Sequence, residues 1–186
     1  LVGRERTTNY RILQNDTLKP IFNRSLMALY PPGSTFKIVN GLIGLQEETV
    51  YPTSRYGCAG GYPIGRGVGC HIHPSPLSFT QAIQMSCNTY FCYVFRAIVD
   101  KPVFGSVENG FIVWKKHVES FGFGNRLNID LPTELRGLVP SVNFYDRYFR
   151  KGGWNSLTII SLSIGQGELG TTPLQMANLS SIIANR

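Results

Sequence analysis

The sequence predicts a mixed α/β (α+β) domain in which helices predominate and strands are short. Apolar residues recur at helical spacing directly after the turn Tyr30-Pro-Pro-Gly33, which indicates a helix at that point. The stretch 49–76 is rich in Gly, Pro and Tyr, which is typical of a loop with at most short strands. Two Ser/Thr-x-x-Gln patterns, at Ser78 and Thr172, have the form of capping boxes that start helices.

The first core helix is expected from Ser34 to about Gln46. Phe36, Val39 and Ile43 fall on one side of such a helix, and a second set of apolar residues lies beside them. A helix that is apolar over so much of its surface is expected to be buried.

Further helices follow from the same signals. We expect them over residues 78–86, from Asn88 to Val99, from Val107 to Ser120 with a stop at Gly122, and from Thr172 onward. The segment 127–139 is predicted to be extended chain with turns.

Composition and charge narrow the classes of function. The 186 residues are 42% hydrophobic and 16% charged, which suits one globular domain. Lys and Arg number 18 against 11 Asp and Glu, but no basic run is longer than Lys115-Lys116 or Arg150-Lys151, and no nucleic-acid motif accompanies them. We therefore expect a solvated basic surface and no nucleic-acid partner.

The ends of the sequence indicate a part of a longer chain. No stretch approaches the roughly 20 apolar residues of a membrane span, and the N-terminus lacks a signal-peptide layout. The final helical pattern carries no stop signal. The signal that addresses the protein is expected outside these residues.

A nucleophile and its base are suggested by Ser34-Thr-Phe-Lys37. Residues three apart on a helix share a face, so the hydroxyl and the amine can meet. Burial and the positive end of the helix dipole both lower a lysine pKa, and a neutral amine can accept the serine proton. The alternative is that Ser34 only caps the helix and Lys37 reaches solvent, because Ser-x-x-Lys is common by chance.

A second motif, Ser86-Cys-Asn88, makes the catalytic interpretation more specific. Its hydroxyl can relay a proton between Ser34, Lys37 and a leaving amine, and its amide can hold Lys37 and bind a substrate amide. A plain Ser/Asn break between two helices is the alternative.

These motifs resemble those of class B penicillin-binding proteins. Tyr30-Pro-Pro-Gly-Ser-Thr-Phe-Lys37 is similar to the active-site serine segment of that family, and Ser86-Cys-Asn-Thr-Tyr-Phe91 to its second motif. Later segments follow the family's order: Phe121-Gly-Phe-Gly124, Ile129-Asp-Leu-Pro-Thr-Glu134, Gly137-Leu-Val-Pro140, Ser163-Ile-Gly-Gln-Gly167 and Thr172-Pro-Leu-Gln-Met-Ala177. The lead-in and Gln166 resemble the elongation type, penicillin-binding protein 2.

The resemblance implies a penicillin-binding/serine β-lactamase-like transpeptidase fold and a D,D-transpeptidase activity. Residues 1–186 would be a partial transpeptidase domain, mostly its helical part with little of the central antiparallel sheet. Ser34 would form the acyl-enzyme with peptidoglycan stem peptides and with β-lactams, assisted by Lys37, Ser86 and Asn88. The family's third motif, Lys-Thr/Ser-Gly, is missing, so we expect these residues alone to be inactive.

Partners and location are implied only by the resemblance. They are a membrane glycosyltransferase of the elongation machinery and the extracytoplasmic side of the bacterial cytoplasmic membrane, with an N-terminal anchor outside this sequence. The rival functions are a serine β-lactamase or D,D-carboxypeptidase, a non-catalytic β-lactam-sensing domain, and a purely structural portion of an enzyme.

A cluster of possible metal ligands lies in the Gly-rich loop. Cys58, Cys70, His71 and His73 can hold zinc, or Cys58 and Cys70 can form a disulfide, or the thiols can be free. Cys87 and Cys92 are interpreted as small core residues. No other cofactor is expected.

Overall fold

The structure is a computed structural model that describes residues 3, 5–65 and 67–185. Its α-helices, in chain order, are α1 Arg6–Asn15, α2 Arg24–Met27, α3 Lys37–Gln46, α4 Phe79–Gln84, α5 Asn88–Val99, α6 Val107–Ser120, α7 Val142–Phe149 and α8 Pro173–Asn185. Its 3-10 helices are Gly33–Phe36, Pro102–Phe104 and Ile160–Ile164.

The strands are short, as the composition of the loop predicts. β1 Arg55–Tyr56 pairs antiparallel with β4 Leu77–Ser78, and β2 Gly61–Tyr62 pairs antiparallel with β3 Val68–Gly69. These two-residue strands are the only ones that the described part of the chain contains. The predicted α+β class with little sheet is therefore confirmed.

The predicted helix at Ser34 is present, but it begins in a tighter form. Gly33–Phe36 is a 3-10 helix, and α3 continues from Lys37 to Gln46 as an α-helix. The N–H of Lys37 donates to the carbonyl of Ser34, so the two segments form one continuous rod.

The helix pair α4–α5 also follows the prediction closely. The backbone N–H of Ser78 donates to Oε1 of Gln81 at 3.0 Å, which is half of the predicted capping box. α4 ends at Gln84, two residues before Ser86, and α5 covers the predicted range.

α5 forms the centre of the core. It packs against α3, α6 and the 3-10 helix Ile160–Ile164, and one face of it is fully buried. Phe95 of α5 meets Trp114 of α6 edge to face with ring centroids 5.5 Å apart, and Phe36 approaches the same indole at 6.3 Å. This aromatic layer holds the turn that carries Ser34 against the core.

The segment that leads to Ser34 is held by the C-terminal third of the chain. Tyr30 and Thr171 exchange backbone hydrogen bonds of 2.9 and 2.8 Å, and the neighbouring Gly170 pairs in the same way with Leu138.

Among the helices of the described residues, none combines the length and the apolar character that a membrane-spanning segment requires.

Among the described residues, three α-helices were not predicted: α1, α2 and α7. α1 buries none of its residues, so it has no apolar stripe to detect. α7 does carry a signal, because the hydroxyl of Ser141 accepts from the N–H of Phe144 at 3.2 Å as a cap.

Candidate active site

Lys37 is the hub of the candidate site. Its side chain is 2% exposed, although it carries an amine at the first turn of α3. Nζ lies 2.6 Å from the carbonyl of Ser86, 3.0 Å from the Ser86 hydroxyl and 2.6 Å from Oδ1 of Asn88. Every hydrogen-bonding position of the amine is thus matched by a partner from the second motif.

The electrostatic setting favours the neutral amine. Burial lowers the pKa of Lys37 from its ordinary value, and the nearby thiols of Cys70, Cys87 and Cys92 oppose that shift in their ionised form. A neutral amine donates two N–H groups and offers one lone pair. With two carbonyl-type acceptors and one hydroxyl around it, its lone pair can face a hydroxyl hydrogen.

Ser34 lies at the same end of this helix and is open to solvent. It is exposed and belongs to the 3-10 turn that directly precedes Lys37. Among the described residues, the hydrogen bonds of Lys37 Nζ go to Ser86 and Asn88 and not to Ser34. The structure therefore brings Lys37, Ser86 and Asn88 into contact and leaves the Ser34 hydroxyl free for an incoming group.

Ser86 has an unusual backbone. Its φ is 49°, in the left-handed region that a non-glycine residue rarely adopts. This conformation ends the α4 turn, with the Ser86 N–H bonded to the carbonyl of Ile83 at 3.0 Å, and presents both Ser86 oxygens to Lys37.

Asn88 connects Lys37 to the Gly-rich loop. Its Nδ2 donates to the carbonyl of Gly69 at 2.7 Å, and its backbone N–H donates to Sγ of Cys70 at 3.3 Å. With Oδ1 bound to Lys37, the side chain is fixed at both ends. Nothing in the motif spacing predicted that Gly69 and Cys70 support the site, because the contact spans 18 to 19 residues of loop.

Beside Asn88, four potential metal ligands lie together: Cys58, Cys70, His73 and Cys87. Their ligand atoms all lie within 4.8 Å of one another. Sγ of Cys70 is 3.5 Å from Nε2 of His73 and 3.9 Å from Sγ of Cys87. Ligands at tetrahedral zinc distances would be about 3.6 Å apart for S and N and about 3.8 Å apart for two S atoms.

The inclusion of His71 among the candidate ligands of this loop needs correction. His71 is not part of the group, because its exposed ring packs edge-on against His73, with centroids 5.2 Å apart, outside the ligand set. The prediction that Cys87 is a buried core residue is confirmed, and its Sγ is the fourth potential ligand atom of the group. All four cysteines of the chain are free thiols in this structure, so it contains no Cys58–Cys70 disulfide.

The thiols differ in acidity. Burial opposes ionisation of Cys70, but hydrogen bonds from the Asn88 N–H and from His73 outweigh it and lower the pKa of Cys70 to about 7. Burial raises the pKa of Cys87 to about 12 and that of Cys92 to about 11. Cys92 contacts Ser163 at 3.3 Å and remains a core residue, as predicted.

Comparison with known proteins identifies the relatives of this arrangement. The family profile described as "Penicillin binding protein transpeptidase domain" matches residues 3–186. The peptidoglycan D,D-transpeptidase MrdA of Acinetobacter baumannii is 30% identical over 190 residues, covering 95% of this chain and 25% of that protein. The chain thus spans about a quarter of the length of the curated relatives it matches.

Solved structures agree with this match. PBP2 of Pseudomonas aeruginosa, in complex with WCK 5153, is similar with a TM-score of 0.82 and 30% identity, over 96% of this chain and 37% of that one. PBP2 of Helicobacter pylori, in a complex with MreC, gives a TM-score of 0.75 and 25% identity, over 94% of this chain and 30% of that one.

Proposed function

The chain belongs to the penicillin-binding protein transpeptidase domain family, and from this premise we propose that Ser34 is the nucleophile of a peptidoglycan D,D-transpeptidase. One observation carries the proposal. Lys37 is buried one turn beyond Ser34, and its amine is held by both oxygens of Ser86 and by Asn88. Burying an amine costs free energy, so a lysine with a purely structural role is expected to extend to solvent.

The reaction follows from these positions. The Ser86 hydroxyl, which is bonded to the Lys37 amine, relays the proton of Ser34 to that amine as Oγ attacks the carbonyl of the penultimate D-Ala of a stem peptide. Backbone N–H groups, including that of Ser34, stabilise the oxyanion. The Lys37 proton passes through the Ser86 hydroxyl to the leaving nitrogen, so D-Ala departs with a complete amine.

The second half-reaction uses the same groups in reverse. The amine of a neighbouring stem attacks the Ser34 ester, its proton passes to Lys37 or Ser86, and Ser34 regains its own proton when the peptide cross-link leaves. A β-lactam follows the first half only and remains as an ester on Ser34. Asn88 fixes Lys37 throughout and offers its amide edge to the substrate.

The setting of this activity is proposed from the relatives. Two similar structures are PBP2 proteins, one of them bound to MreC, and the curated relative from Acinetobacter baumannii is an MrdA transpeptidase. We place the activity in cell-wall elongation at the extracytoplasmic face of the cytoplasmic membrane. The partner expected there is a membrane glycosyltransferase.

The test is acylation followed by intact-protein mass spectrometry in the full-length protein that carries these residues. We expect one β-lactam mass on the wild type and none on Ser34→Ala. Ser180→Ala is the matched control, because Ser180 is an exposed serine of α8 whose hydroxyl contacts only the Met176 carbonyl. Residues 1–186 alone should not react, because the third motif is missing.

Acylation alone does not separate an enzyme from a β-lactam-sensing domain. The separating assay supplies a stem pentapeptide and an amine acceptor and measures released D-Ala and cross-linked product. Turnover supports the transpeptidase. A protein that is acylated but releases no D-Ala belongs to the sensing alternative, and a folded wild type that is never acylated contradicts both.

We also propose that the group of three thiols and one imidazole holds a structural zinc ion. Its support is the approach of Cys58, Cys70, His73 and Cys87 to within 4.8 Å and the fit of two measured separations to tetrahedral geometry. Zinc would supply no step of the reaction. It would fix the loop that holds Asn88.

Metal content is the direct readout, measured by elemental mass spectrometry on protein purified without chelator. We expect one zinc per chain, lost in His73→Ala and kept in His71→Ala, a neighbouring histidine outside the group. Replacement by cobalt should give the sulfur-to-metal absorption of thiolate ligands. A metal-free wild type, or equal loss in both histidine variants, would refute the site.

A further inference from the structure

We propose that Asn40 and Gly165 are positioning residues for the nucleophile, acting through a brace formed by residues 160–167. The brace consists of the 3-10 helix Ile160–Ile164 and the turn that follows it. It touches the nucleophile segment at two points, one on α3 and one just before Ser34. The inference rests on the proposed role of Ser34.

The first point is Asn40, one helical turn beyond Lys37 on α3. Its side chain is completely buried, and Nδ2 donates to the carbonyls of Leu162 at 3.1 Å and Ser163 at 2.9 Å. Its Oδ1 accepts from the indole N–H of Trp114 at 2.8 Å. The amide is therefore fully paired and ties α3 to the brace in a single orientation.

The second point is Gly165, which ends the 3-10 helix in the left-handed region with φ 69°. Its carbonyl accepts the N–H of Gly33 at 2.8 Å. A Cβ at residue 165 would lie 2.2 Å from the Gly33 carbonyl oxygen and 2.7 Å from Cβ of Phe36. Only a glycine lets the brace approach the nucleophile turn this closely.

The brace is a short closed unit, so its two ends move together. The N–H of Gly165 bonds to the carbonyl of Leu162 at 3.2 Å, and the N–H of Gln166 bonds to the carbonyl of Ser161 at 3.1 Å. The carbonyls held by Asn40 belong to the same turn. Position is thus transmitted from α3 through the brace to Gly33.

The nucleophile turn needs such support for a physical reason. A 3-10 turn has poorer hydrogen-bond geometry than an α-helix, and Gly33, with φ 60°, imposes no restraint of its own. A displacement of about 1 Å at a reacting atom can lower a rate about 100-fold. The brace fixes the Ser34 backbone relative to Lys37, and with it the Ser34 N–H that would stabilise the oxyanion.

The experiment compares Gly165→Ala with Gly152→Ala in the full-length protein. Both glycines have a similar positive φ, 69° and 73°, but a Cβ at Gly152 meets nothing within 4 Å. The backbone strain is therefore matched, and only the contact with Gly33 differs. A fluorescent penicillin in stopped flow gives the acylation rate constant and, separately, the fraction of molecules that react.

We expect Gly165→Ala to lower the acylation rate constant at least tenfold, with the pH midpoint of the rate unchanged because Lys37 keeps its partners. Gly152→Ala should stay within twofold of wild type. A merely structural role would lower the reacting fraction and leave the rate constant of the reacting molecules intact.

Asn40→Ala keeps the inference testable if Gly165→Ala fails to fold. It should lower the rate constant as well, whereas Asn109→Ala, which removes an exposed amide bonded to the Phe104 carbonyl away from the brace, should leave the rate constant within twofold of wild type. Wild-type rate constants in both Gly165→Ala and Asn40→Ala would overturn the brace. Failure of the wild type to be acylated would instead overturn the proposed function.

Discussion

Asn88 offers the sharpest test of the site, because its side chain holds Lys37 and the loop at once. Asn88→Ala removes the 2.6 Å bond from Lys37 Nζ and the 2.7 Å bond to the Gly69 carbonyl. A hydrogen bond to a charged group, which the Lys37 amine becomes as it takes up the Ser34 proton, contributes about 1.5–3 kcal/mol, and a neutral one about 1 kcal/mol. The first bond bears directly on the amine, so its loss alone corresponds to a roughly 10- to 150-fold slower acylation.

The assay is the acylation rate constant of the full-length protein with a fluorescent penicillin, together with the thermal midpoint of unfolding. The matched control is Asn109→Ala. Asn109 also lies in the first turn of a helix, and its Nδ2 also donates to one backbone carbonyl, that of Phe104 at 2.9 Å. Its loss should cost stability of a similar kind and leave acylation within twofold.

Two results would refute the reasoning. An Asn88→Ala protein that is acylated within threefold of the wild-type rate would show that the amide does not hold the base. An equal rate loss in Asn109→Ala would show that the effect is general destabilisation and not placement of Lys37.

Three further predictions concern acidity and packing. Burial lowers the pKa of Lys37 below its ordinary value of 10.5, and the neutral amine becomes more populated as the pH rises. The acylation rate should therefore increase with pH, with the midpoint of the increase below 10.5. A rate that does not depend on pH would contradict this. Gln175→Ala leaves three backbone carbonyls without their Nε2 donor. It should lower the free energy of unfolding, measured by urea titration, by roughly 2–4 kcal/mol. A loss below about 0.5 kcal/mol would show that other groups satisfy these carbonyls. Gly110→Ala places a Cβ 2.0 Å from the Val99 carbonyl oxygen, so α5 and α6 must separate. The free energy of unfolding, measured in the same way, should fall by about 1–3 kcal/mol. An unchanged urea midpoint would refute the close approach of the two helices.

The local structure of the segments that carry the motifs was predictable from sequence. Periodicity and caps directly reflect interactions between residues at most four apart. Such interactions determine the ranges of α5 and α6, the capped starts at Ser78 and Thr172, and the helix that follows Ser34. The order of the motifs was sufficient to suggest the family, because each motif is a contiguous run. α7 was missed although its Ser141 cap was readable.

The sequence by itself determined the order and spacing of the motifs, which predict that Ser34, Lys37, Ser86 and Asn88 carry the chemistry. Only the tertiary structure decided how they meet, since the contacts of Lys37 cross 49 to 51 residues and depend on packing of α3 against α5. It also brought Cys87, and not His71, close to Cys58, Cys70 and His73. Periodicity describes one helix or strand at a time, whereas these contacts depend on how two such elements pack against each other in the core.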